Sequence, residues 1–148
     1  MATNRGGGTE TVDRFLDSTL DSVDTAETLA VEAAEKAGFD EDELHRIGMA
    51  VRECMVNAVV HGNRYNEHKK VHLSVNTDAE RLTIRIADQG EGFDLLELPD
   101  PLAEENLLRH SGRGIFLIRA FMDDLQIHRA GASGTEVILV KNRGGDQK

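Results

Sequence analysis

Two short stretches of strict alternation constrain the fold most. Val71, Leu73 and Val75 alternate with polar residues, and after the connection Asp78-Ala79-Glu80, Leu82, Ile84 and Ile86 repeat the pattern toward Asp88. A period of two puts every apolar side chain on one face of a strand, so the pair predicts an antiparallel hairpin with one buried face. A face of that kind needs a cover. Helical periodicity upstream supplies it: Leu44, Ile47, Val51, Cys54, Met55 and Ala58 form an apolar stripe on a helix opened by the capping box Asp40–Glu43 and running to about His61-Gly62.

The remaining elements follow from the same rules. Val12–Thr19 reads as a first strand. Asp24–Gly38 reads as a helix with Leu29, Ala33 and Ala37 stacked and Gly38 as its stop. Ile115–Met122 is a short helix, followed by strands Leu125–Arg129 and Thr135–Lys141 across the turn 131–134. The order is strand, two helices, two strands, long loop, helix, two strands. It predicts an α+β fold, a two-layer sandwich whose mixed, mostly antiparallel sheet carries its helices on one face. A single domain over residues 11–142 is expected, with a disordered tail at 1–10 and a short charged tail at 143–148.

Bulk properties exclude several classes of function. A chain of 148 residues with 39% apolar residues and no Trp can bury one aliphatic core. The net charge of −10 argues against direct nucleic-acid binding, because phosphate backbones are held through clustered Lys and Arg. Apolar runs such as 137–140 are far too short to cross a bilayer. The polar, Gly-rich start predicts no secretory signal, and the lone cysteine, Cys54, suits a reducing cytoplasm.

Three polar clusters interrupt this apolar framework. Glu53 and Asn57 lie one helical turn apart, so they share a face. Asn offers a neutral oxygen to a hard cation such as Mg²⁺, and Glu could take a proton from a hydroxyl. An ordinary pair on the solvent side of the helix is the plainer alternative. Asp88-Gln-Gly90-Glu-Gly92 closes a strand with an acid able to accept from an exocyclic amino group, and with glycines that let a flat ring approach. A simple Gly-rich turn reads the same way. Gly112-Arg113-Gly114 precedes a helix, where free amides favour phosphate and Arg113 adds a charge-assisted contact. A loop-to-helix junction needing positive φ is the alternative here. Thr135, after Gly134, opens the last strand, where β-propensity alone could explain it.

In this order the clusters resemble the ATP-binding domain shared by histidine kinases, gyrase-type topoisomerases and mismatch-repair ATPases, the Bergerat fold. Glu53-x-x-x-Asn57 looks like its N-box, Asp88-x-Gly90-x-Gly92 and Gly112-x-Gly114 like its two glycine boxes, and Gly134-Thr135 like its final Gly-Thr. Residues 52–62 and 112–123 make the chain most similar to the stand-alone anti-sigma factor serine-protein kinases of bacteria.

That resemblance implies ATP and Mg²⁺ as cofactors, with Asn57 holding the metal and Glu53 acting as the base toward a serine hydroxyl. It places Asp88 at the adenine amino group, Gly90 and Gly92 beside the ring, Gly112, Arg113 and Gly114 along the triphosphate, and Thr135 behind the adenine. Residues 94–112 would be the ATP lid, with Arg109-His110 standing where well-known members carry an acidic-basic pair that contacts the sigma factor. The implied partners are an anti-anti-sigma protein, a sigma factor and a second copy of the chain docked through the first strand and helix. Two other readings are an ATP-binding regulatory module without kinase activity and the catalytic domain of a split histidine kinase.

Overall fold

The computed structural model describes residues 10–90, 114–130 and 134–143. Five strands and three helices are laid out as β1 (Glu10–Asp17), α1 (Leu20–Lys36), α2 (Glu41–Val56), β2 (Lys70–Thr77), β3 (Arg81–Ala87), α3 (Gly114–Phe121), β4 (Asp124–Arg129) and β5 (Thr135–Asn142), with a π-helical segment, Asn57–Gly62, continuing α2. The strands form one sheet in the order β1-β2-β3-β5-β4, and all four pairings are antiparallel. The expected lid, 94–112, lies outside the described residues, as do 1–9 and 144–148.

Alternation places the core where the pattern requires it. Val71, Leu73, Val75, Leu82, Ile84, Ile86 and Leu139 are at most 1% exposed and pack with Ile47, Val51 and Met55 of α2. Each such side chain contributes about 2 kcal/mol by leaving water. The opposite face of β2 carries His72, Ser74 and Asn76, all half-buried, and no described helix covers it. No helix among the described residues is long and apolar enough to cross a membrane.

The capping box that opens α2 is present: Asp40 accepts from Glu43 N–H at 2.9 Å, and the Glu43 carboxylate reaches back to the Asp40 N–H. α1 begins four residues before the expected start, at Leu20. Leu20 is 53% exposed and Val23 is the single buried apolar residue of that first turn, too little to extend the apolar pattern. Two tail boundaries also move outward, toward the chain ends. Glu10, expected in a disordered tail, opens β1 by pairing with Thr77. Arg143, expected in the C-terminal tail, donates from its backbone to Glu80 O and through its guanidinium to Asp78 O and Ala37 O, at 2.6 to 2.9 Å. Those bonds tie the end of β5 to the β2–β3 turn and to the end of α1.

The helix that carries the first polar cluster does not keep α geometry. Its winding widens at Asn57, and the Asn63 N–H reaches back five residues to Ala58 O at 2.8 Å. Wide turns of this kind recur at functional sites. The segment ends on two left-handed residues, Arg64 (φ 54°) and Tyr65 (φ 60°), a conformation that costs about 1–2 kcal/mol per non-glycine residue.

Candidate functional site

Asp88 stands where β3 ends and is 3% exposed. Its Oδ1 accepts from Gly90 N–H at 2.9 Å and Thr135 N–H at 3.2 Å, and its own N–H donates to Thr135 O at 2.9 Å. Among the described residues Oδ2 accepts no hydrogen bond. Burial pushes the carboxyl up to about 6, while the two N–H donors and the charge of Lys69 hold it back from rising further.

Three glycines make that position reachable. A Cβ on Gly62 would lie 2.3 Å from Asp88 Oδ2, and one on Gly90 would lie 2.0 Å from Gly62 O. Gly134 has φ +97°, and its Cβ would lie 2.2 Å from Asp88 O. The end of the π segment, the loop after β3 and the start of β5 therefore cross at main-chain distance around one carboxylate. Gly90 was expected to clear space for a ring; what its missing side chain accommodates here is the Gly62 carbonyl.

Asn57 begins the π segment whose last residue is Gly62. The residue is 6% exposed, and its carboxamide makes no hydrogen bond among the described residues. A buried amide without a partner costs roughly 1–3 kcal/mol, so it fits a site completed by something the chain does not supply. Its backbone N–H bonds to Glu53 O and Cys54 O, which sets Glu53 one turn earlier. The Glu53 side chain is half-buried and makes no hydrogen bond among the described residues. Cys54, beside it, points into the core. Burial, with the Glu53 charge adding to it, raises its thiol well above the ordinary range, which keeps it protonated and unreactive.

Asp88, Gly90 and Thr135 are thus in direct contact, and Glu53 and Asn57 lie on the helix that ends against them. Gly114 is the first residue of α3, which packs on α2. Gly92, Gly112 and Arg113 lie outside the described residues.

The residues missed by sequence reasoning are Gly62, Gly134 as a partner of Asp88, and Asn63. Asn63 is 2% exposed and uses both ends of its amide in hydrogen bonds. An Asn directly after His61-Gly62 was a weak signal, since that position reads equally well as a turn.

A family model described as the histidine kinase-like ATPase domain matches residues 16–141. The chain belongs to the histidine kinase-like ATPase family. Its relatives include the serine-protein kinase RsbW of Oceanobacillus iheyensis, 34% identical over 101 residues, which are 64% of this chain and 64% of that protein. The anti-sigma F factor of Bacillus subtilis is 36% identical over 103 residues, covering 68% of this chain and 70% of the relative. A solved structure of the RsbU and RsbW domains of a Mycobacterium tuberculosis protein superposes with a TM-score of 0.65 at 19% identity, over 90% of this chain and 32% of that one. That likeness carries the fold. The chain spans just under two thirds of the kinase and about a third of the solved chain. Membership of the family makes this an ATP-binding domain, and Asp88, Asn57 and Thr135 all fall within the matched span.

Proposed function

We propose that this chain is an ATP-dependent anti-sigma factor and protein-serine kinase, which phosphorylates an anti-anti-sigma protein and sequesters a sigma factor. The observation that carries the reading is a pair of buried, open polar atoms, Asp88 Oδ2 and the Asn57 carboxamide, on the span shared with the relatives named above. Asp88 Oδ2 would accept from the adenine amino group, with Gly92 beside the ring and Thr135 behind it. The Asn57 oxygen would be the chain's ligand to Mg²⁺, an ion that needs few protein oxygens because phosphates and water complete its shell. Mg²⁺ so bound would neutralise charge on the phosphates during transfer.

Glu53, one turn before Asn57 and without a partner among the described residues, would take the proton of the attacking serine hydroxyl. Gly112, Arg113 and Gly114 would line the triphosphate at the start of α3. Both partners follow from the likeness to the serine-protein kinase and the anti-sigma F factor described above. A homodimer through β1 and α1 is supported by Phe15 and Leu20, which are 67% and 53% exposed there. A cytoplasmic location follows from the partners proposed.

The test is transfer of labelled phosphate from ATP to the cognate anti-anti-sigma protein. Glu53→Ala should lower the rate by about 10²- to 10⁴-fold while leaving ATP affinity within a factor of about three. Transfer that persists in that variant removes Glu53 as the base. Tight ATP binding with no phosphoprotein from the wild type would instead leave a nucleotide-gated binding module.

A further inference from the structure

Past Ala87 the third strand leaves its neighbour. The β2–β3 register ends at His72↔Ala87, while on the β5 side the ladder runs one step further, with Asp88 N–H bonded to Thr135 O. This departure strips the ladder from the backbone of Lys70, and orphaned backbone groups are costly wherever water is excluded. Two side-chain amides replace the missing strand. Gln89 Oε1 accepts from Lys70 N–H at 2.6 Å, and Asn63 Nδ2 donates to Lys70 O at 3.0 Å. Asn63 Nδ2 also donates to Ser18 Oγ at 2.9 Å, and its Oδ1 accepts from Gln89 N–H at 2.7 Å. Ser18 donates in turn to Lys69 O at 2.6 Å.

The peptide N–H groups on either side of Asp88 Cα are therefore held from opposite directions. Thr135 O takes the Asp88 N–H, and the Asn63 side chain takes the Gln89 N–H. The carboxylate is aimed by the backbone between those two anchors, together with the Gly90 and Thr135 N–H groups that bond Oδ1. Only one of them is a side chain, and it belongs to none of the three polar clusters.

We infer that Asn63 is a positioning residue for base selection: by fixing the Asp88–Gln89 peptide it sets the aim of Asp88 Oδ2 and thereby the preference for a 6-amino purine. The inference rests on the reading of Asp88 as the adenine contact. Its geometric content is specific. Loss of the Oδ1 acceptor frees the peptide next to Asp88, whereas loss of the Nδ2 donations leaves that peptide held.

Calorimetric titration of the full chain with Mg·ATP and with Mg·purine riboside triphosphate, which lacks the 6-amino group, tests this. Asn63→Ala should lower the preference for ATP about tenfold, mainly through weaker ATP binding, with the analogue's affinity little changed. Asn63→Asp keeps an acceptor for the Gln89 N–H and should retain most of the preference even where it melts earlier. A residue that merely supports the fold would weaken both nucleotides equally, and an unchanged ratio in Asn63→Ala overturns the inference. Should that variant fail to fold, Asn63→Ser, whose shorter side chain falls short of the Gln89 N–H, should lower the ratio similarly. An unchanged ratio there overturns it equally. A wild type that binds both nucleotides alike would refute the reading of Asp88 itself, and the inference with it. A preference present in the wild type, lost in Asp88→Asn and intact in Asn63→Ala would refute the role of Asn63 alone.

Discussion

Asp88 and Asn57 are polar side chains of similar burial, 3% and 6% exposed, placed at two ends of one site. Asp88 has one oxygen fixed by two backbone N–H groups, and three glycines let the chain close around it. Asn57 has nothing in the described residues to bond, and it sits on a segment of widened helix rather than in a crossing of three backbones. One end is finished by the protein, and the other is left to be finished by what binds. A rigid end can discriminate between bases because a mismatch leaves it unpaired and cannot be relaxed away. An unfinished end gains its stabilisation only when the ligand arrives.

The sharpest way to break this contrast is at the finished end. Gly90→Ala drives a Cβ to 2.0 Å from the Gly62 carbonyl, a backbone atom with no easy way to yield. It should cost about 4 kcal/mol or more, read from urea unfolding. A loss below about 1 kcal/mol would mean that the crossing is loose.

Acid sharpens the comparison with a smaller effect. Asp88 binds its proton more tightly folded than unfolded, since burial raises it from 3.8 to about 6. Stability from this group is therefore fully present below about pH 4 and declines as pH rises to about 6, by a total of about 3 kcal/mol. Unfolding measured at pH 4 and pH 7, wild type against Asp88→Asn, isolates the group, and the variant should lack that decline. The same proton competes with an amino-group donor, so ATP affinity should rise as pH increases through about 6. Parallel stability curves for the two proteins would show that the carboxylate is better solvated than its burial implies.

The smallest effect on the fold is expected at the open end. Asn57→Ala removes a polar group that bonds nothing among the described residues, so the free protein should change by less than about 1 kcal/mol in either direction. Affinity for Mg·ATP should nevertheless fall about tenfold or more by calorimetry. A large loss of stability in the absence of nucleotide would reveal a structural role for the amide.

How much of this was legible in the sequence differs between the same two ends. The hairpin, the capping box of α2 and the polar pair Glu53–Asn57 are local patterns, and spacing alone displays them. The crossing is not local. Gly62 and Gly90 are far apart in sequence, and nothing in either neighbourhood says that one carbonyl will rest where the other's side chain would be. Asn63 was equally hidden, because its partners, Ser18, Lys70 and Gln89, come from three separate stretches. The widened winding left no trace because Met55–Val60 is apolar nearly all round, so there is no phase from which to read a change of pitch.

That winding sets the geometry downstream. Each residue of an ordinary helix advances the chain by about 100° around the axis. Winding the same six residues, 57–62, as ordinary helix would swing everything after them through about that angle. The Gly62 carbonyl would then face away from the sheet, and the loop after β3 would lose the surface on which it rests. The broad coil thus acts as a spacer whose circumference, more than its chemistry, decides whether the two ends of the site meet.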